Sequence, residues 1–202
     1  MTWDVFSPVY DLTESIYNGR VYTETGKIVA GEIESGDTVL ECACGTGAIS
    51  VYVAPRCKKL YATDVSAGMR KKCAAKCRKF DNVIVTKADI MHINSRDERF
   101  DKVIAGNVIH LLDDPKAAVK ELLRVCRTGG KVIIPTYINL DEGNSEKFAV
   151  KVFETAGVEF KRKFDLESYK RFFEDMGFEK VRYEIAWGRI PCAVAIITKE
   201  QK

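Results

Sequence analysis

At 202 residues the chain has room for one α/β domain and little for a second core. Apolar residues at 46% and charged residues at 30% match ordinary globular usage, which excludes a disordered, collagen-like or low-complexity chain. Thirty-two Lys and Arg against 29 Asp and Glu leave a net charge of +3, too small to imply a nucleic-acid or anionic-membrane partner by itself.

The N-terminal stretch MTWDVFSPVYD carries acids and lacks the basic and apolar regions of a secretory signal, so no export is expected. Apolar runs such as Lys131 to Tyr137 are strand-length, far short of the ~18 residues of a membrane span. Seven cysteines, at 42, 44, 57, 73, 77, 126 and 192, are an odd number scattered through apolar runs, which suits reduced thiols in a cytoplasm. Neither Cys42-x-Cys44 nor Cys73-x-x-x-Cys77 forms a paired zinc knuckle, and His92 and His110 have no ligand neighbour at a convincing spacing, so no metal is expected.

Short β-branched runs alternate with amphipathic stretches, the pattern of a mostly parallel sheet covered on both faces. Strands are expected at Thr38 to Cys44, Lys59 to Val65, Val83 to Ala88, Phe100 to Asn107 and Lys131 to Tyr137, each a nearly continuous apolar run. Gly36-Asp37 turns into the first, Asp81-Asn82 precedes the third, and Thr128-Gly129-Gly130 is expected to end a helix before the fifth. After the second strand, Met69, Cys73, Cys77 and Phe80 share one helical face, with Arg70, Lys71, Lys72, Lys76, Arg78 and Lys79 on the rest, read as a solvated surface. Asp113-Asp114-Pro115 opens a further helix whose buried stripe is Ala118, Leu122, Val125 and Cys126. Beyond the fifth strand the alternation breaks: helices are expected over Asn144 to Ala156 and Leu166 to Met176, then a hairpin of Phe178 to Ala186 and Cys192 to Thr198.

The loop Glu41-Cys42-Ala43-Cys44-Gly45-Thr46-Gly47 follows a buried strand and leads into a helix, which places it at the carboxyl edge of the sheet where ligands bind. Gly45 and Gly47 permit positive φ and let backbone approach a ligand. Alone, the loop is ambiguous, since Gly45-x-Gly47-x-x-Ser50 is one substitution from a dinucleotide fingerprint. Asp64, ending the second strand, is placed to accept both hydroxyls of a ribose. Asp89, ending the third, is placed to accept from an adenine amino group, with Ile90 to pack on the ring. Asn107 ends the fourth. Each of these has a plainer reading as a cap or turn residue, but together they converge on one crevice.

These motifs resemble the Rossmann-like, S-adenosylmethionine-dependent methyltransferases, and look nearest to the group that includes quinone-biosynthesis and many small-molecule methyltransferases. LECACGTG matches the first motif, TDVSAGM the second, KADI the third, FDKVIAGNVIHLL the fourth, and Gly129-Gly130-Lys131 into VIIPTY the fifth; the likeness runs from Phe6 to the C-terminal hairpin. It implies one domain over 1–202, with an N-terminal lid at 1–35, a cofactor-binding core at 36–137, and helices plus hairpin at 138–202. It also implies a seven-stranded sheet in the order 3-2-1-4-5-7-6 with strand seven antiparallel. In the resemblance Glu41, Ala43, Gly45 and Gly47 surround the amino-acid end of S-adenosylmethionine, Asp64 holds the ribose, and Val65, Met69, Asp89 and Ile90 form the adenine pocket. Asn107 touches the methionine portion and Tyr10 closes over it. The departure is Ala43, where the commonest first motif has glycine.

Methyl transfer from a sulfonium needs alignment and water exclusion more than a base. His110, three residues after Asn107, is the candidate base, with a packed structural histidine as the alternative; Tyr10 is the other catalytic candidate. Trp3, Phe6, Tyr17 and Tyr22, and on the other side Tyr137, Trp187 and Arg189, are candidates for the mouth. The fourth motif lacks the Asn/Asp-Pro-Pro-aromatic run of base-methylating enzymes, which favours a small-molecule acceptor and no nucleic acid. Two rivals stand: a member that binds the cofactor as a silent sensor or scaffold, and an NAD-dependent oxidoreductase.

Overall fold

The computed structural model describes residues 18–138 and 161–201. The expected helix at Asn144 to Ala156, together with Tyr10, Trp3, Phe6 and Tyr17, lies outside the described residues. Seven strands form one sheet: β1 (Thr38–Cys42), β2 (Lys59–Thr63), β3 (Val83–Thr86), β4 (Phe100–Ala105), β5 (Cys126–Tyr137), β6 (Val181–Ala186) and β7 (Cys192–Thr198). Their order is β3-β2-β1-β4-β5-β7-β6. β7 runs antiparallel to both β5 and β6, and the other pairings are parallel. The order and the hairpin are those expected.

Alternation along the strands sorts side chains to two faces. Leu40, Val103, Val132 and Ile134 pack with α4 (Pro115–Val125) and α5 (Leu166–Glu174). Val39, Ile104 and Ile133 pack on the other face, with α1 (residues 18–31), α2 (Ser50–Val53, continued by a 3-10 turn at Ala54–Arg56) and α3 (Ala67–Cys77). Helix starts follow the capping chemistry: Ser66 accepts from the Met69 N–H at 3.1 Å, Asp114 from Ala117 at 3.0 Å ahead of Pro115, and Asp165 forms a capping box with Ser168. In α3, Met69, Cys73 and Cys77 are buried as the periodicity requires. One buried ion pair, Lys102–Asp37 at 3.0 Å, ties β4 to the turn before β1.

The glycines before β5 behave differently from the expectation. The helix α4 ends at Val125, and Thr128-Gly129-Gly130 lies within β5, so these glycines do not terminate a helix. The Gly129 N–H donates to the Lys199 carbonyl at 2.8 Å, and the Lys199 N–H to Gly130 at 2.9 Å. The strand thus continues beside the end of β7. Gly130 has no room for a Cβ, which would stand 2.6 Å from the Asp101 carbonyl.

Candidate active site

The four central parallel strands end together, and the chain turns sharply just beyond them. Ala43 and Asn107 both adopt left-handed backbone, at φ 51° each, directly after β1 and near the end of β4. Asn tolerates this conformation, while Ala holds it at a cost of about 1 kcal/mol or more. The turns aim Ala43, Gly45, Gly106 and Asn107 into a cleft shared by two adjoining pockets. Gly45, at φ 53°, has nothing within 4 Å of where a Cβ would stand, so its open side faces ligand space. Gly47, at φ 86°, lines neither pocket. A Cβ there would lie 3.1 Å from the Cys73 Cα, so this glycine lets the loop pack on α3.

The larger pocket, about 210 Å3, gathers Asp64, Val65, Met69, Asp89 and Ile90. Asp64 is only 7% exposed, and its two carboxylate oxygens accept from the Gly45 N–H at 2.9 Å and the Ser66 N–H at 2.8 Å. It therefore pins the glycine loop to the end of β2, and each oxygen retains a lone pair for a hydroxyl. Burial raises its pKa above the ordinary carboxylate value, against the lowering by those two N–H donors. Val65 is more than half exposed beside it, an apolar surface open to a planar ring. One Asp89 oxygen accepts from the Met91 N–H at 2.9 Å, which orients the carboxylate at the pocket's far end, while Ile90 is buried.

The smaller pocket is lined by Tyr22 and Thr25 of α1, by Glu41 and Thr46, and by Tyr137 at the end of β5. Glu41 is 2% exposed and accepts from the Ser50 hydroxyl at 2.6 Å; burial pushes its carboxyl well above the usual range. The Cys42 thiol is pushed up to about 12 by burial, and Cys44 is raised too, first by its hydrogen bond with Cys73 and then by burial. Both stay protonated at neutral pH, which fits core thiols and not a reactive pair. Among the described residues no cluster of His, Cys, Asp or Glu is arranged to hold a metal ion.

A family model described as a methyltransferase domain matches residues 40–134, the span that contains the ends of β1 to β4 around this cleft and most of β5. That stretch, a little under half of the chain, is thus similar to a methyltransferase domain. A demethylmenaquinone methyltransferase of Thermobifida fusca is 31% identical over 144 residues, which is 68% of this chain and 60% of that protein, so the chain spans less than two thirds of that relative's length. Among solved structures, a SAM-dependent methyltransferase of Thermotoga maritima, described as a possible histamine N-methyltransferase, superposes with TM-score 0.74 at 20% identity, over 98% of this chain and 100% of that one. The [4+2]-cyclase SpnF does so with TM-score 0.71 at 17% identity, over 89% of this chain and 82% of that one. These structural likenesses establish the Rossmann-like fold; they do not carry a reaction.

Of the expected cofactor residues, Glu41, Ala43, Gly45, Asp64, Val65, Met69, Asp89, Ile90 and Asn107 all line one or both pockets. His110 does not: it sits in a 3-10 turn (Ile109–Leu111), is 5% exposed, and burial lowers its pKa to about 4. Its neighbours Val108 and Leu111 reach the cleft instead. The pattern reading passed over Thr25. Val21, Thr25 and Val29, spaced by four, form a buried stripe of α1, and a threonine in the middle of such a stripe is the signal that was available. The exposed Trp187 lies on the β6–β7 connection, which Asn18 ties to α1 through Ile190 at 2.8 Å.

Proposed function

We propose that the chain transfers a methyl group from S-adenosylmethionine to a small-molecule acceptor. The observation that carries this is the convergence of Asp64, Val65, Asp89 and Gly45 on a single cleft, a set of acceptors and apolar surface matched to an adenosine. The residues fit the cofactor: Asp64 keeps lone pairs for the ribose hydroxyls, Asp89 for the adenine amino group, and Gly45 leaves backbone open. Bound, the cofactor supplies an electrophilic methyl group on a sulfonium. The chain's own part is to orient the donor by Asp64 and Asn107 and to exclude water with Tyr22, Tyr137 and Leu111.

For the acceptor we favour a quinol-type ring, because the T. fusca relative is named for methylating demethylmenaquinone. His110 acts in this reading by holding the turn that presents Leu111, and not as a base, since it stays neutral and buried near pH 7. We place the protein in the cytoplasm; among the described residues no helix is long and apolar enough to cross a membrane. The test is a methyl-labelled donor offered with a panel of quinol, phenol, thiol and amine acceptors. Label recovered on a quinol supports the whole reading, label on another class corrects the acceptor, and no transfer to any panel member or to cell extract overturns it in favour of a silent cofactor binder.

A further inference from the structure

Thr25 stands out because a buried hydroxyl ordinarily finds a partner. Two residues earlier in α1, the Thr23 hydroxyl donates back to the Gly19 carbonyl at 3.0 Å, the usual recourse of a helical threonine. Thr25 Oγ1 makes no hydrogen bond, although Thr25 is only 4% exposed. A buried hydroxyl left in this state destabilises a fold by about 1–3 kcal/mol. Valine has the same shape and carries no such penalty. Thr25 lines the smaller pocket together with Glu41, Gly45 and Thr46, and this pocket shares Ala43, Gly45, Gly106 and Asn107 with the larger one that holds Asp64 and Asp89.

We infer that Thr25 Oγ1 binds the amino-acid end of the cofactor, donating to its carboxylate. The inference rests on the proposed donor reading and extends it to α1, which lies before the span matched by the family model. Charge placement assigns the partner. Glu41 is the acid lining this pocket, so the cofactor's ammonium falls to it and the carboxylate needs a donor elsewhere. The Thr25 hydroxyl can be that donor. The unmet hydroxyl then makes sense as a group whose partner arrives with the ligand, a local violation of the kind found at functional sites.

The experiment compares wild type with Thr25→Val by calorimetry, using S-adenosylhomocysteine and its decarboxylated analogue, and by thermal melting of the ligand-free protein. The expected result is a loss of about tenfold or more in affinity for S-adenosylhomocysteine, the scale of a hydrogen bond to a charged group. Affinity for the decarboxylated analogue is unchanged and Tm rises by about 2–4 °C, because the unpartnered hydroxyl is gone. Equal weakening for both ligands, or no weakening for either, overturns the assignment. A wild-type protein that binds neither ligand overturns the donor reading beneath it, a distinguishable failure.

Discussion

Replacing Asp64 tests the cofactor geometry most sharply, because this side chain does two separable jobs. Its oxygens hold the Gly45 and Ser66 N–H groups, and their remaining lone pairs face the cleft. In Asp64→Asn one oxygen becomes an NH2 that confronts one of those N–H donors, leaving a buried donor unmet at about 2 kcal/mol, or a fall in Tm of about 4–8 °C. The same amide removes one acceptor and the charge seen by the ribose. Two hydroxyl contacts to a buried carboxylate are together worth about 3 kcal/mol, so S-adenosylhomocysteine should bind about 100-fold more weakly in calorimetry. A variant that melts cooperatively but binds within about twofold of wild type would refute the placement of the ribose. Acid should act on the wild type in the same direction for cofactor affinity and in the opposite direction for stability. Since burial raises the Asp64 pKa, the folded state holds this proton more tightly than the unfolded chain. Ionised Asp64 therefore weakens stability above its folded pKa, and that penalty is relieved as pH falls through it. Cofactor affinity, which uses the ionised form, should decline over the same fall, beginning at a higher pH than for an ordinary aspartate.

The two small residues of the loop should respond oppositely. Ala43→Gly relieves the left-handed alanine at φ 51° and should gain about 0.5–1 kcal/mol in denaturant unfolding, the relief exceeding the added freedom of the unfolded chain. Gly47→Ala places a methyl 3.0 Å from Cys73 Sγ and 3.1 Å from its Cα at φ 86°, and should lose about 2–3 kcal/mol and weaken S-adenosylhomocysteine binding by shifting the loop. His110, lowered by burial to about 4 from 6.5, contributes stability that is full above pH 6.5 and is lost as pH falls toward 4, roughly 3 kcal/mol in all. Unfolding measured from pH 7 to 4 should be less steep for His110→Gln than for wild type, and the wild-type pH–rate profile should show no ionisation near 6.5 from this residue.

The strand order and the cleft were legible because buried parallel strands write continuous apolar runs and their ends carry the polar ligands. The boundaries erred in one consistent way. The sequence pattern carries each of the first four strands two residues too far, to Cys44, Val65, Ala88 and Asn107, where the ladders end at Cys42, Thr63, Thr86 and Ala105. The extra residues keep strand-like chemistry because the backbone still bonds across, Cys44 to Thr63 at 2.9 Å and Asn107 to Pro135 at 2.8 Å, while φ has already turned positive at Ala43 and Asn107. Those overshoots are the cleft itself. Glycine at 129 and 130 misled in the other direction, since a Gly pair after a helix reads as a stop signal and only the pairing with Lys199 reveals a strand. Gly47 could not be told from Gly45 by composition; the close approach of Cys73 separates them. Thr25 was missed because its helix shows no motif, only a hydroxyl in an apolar stripe.

A side-by-side calorimetric titration with S-adenosylhomocysteine and NAD tests the central claim most directly, because the glycine loop and Asp64 alone suit either ligand. Asp89 and Val65 would meet the adenine that both ligands share, whereas the pocket lined by the Glu41 carboxyl suits an ammonium and not a pyrophosphate, which favours the first. The account predicts binding of S-adenosylhomocysteine at micromolar concentration and none of NAD. Binding of NAD alone would contradict it.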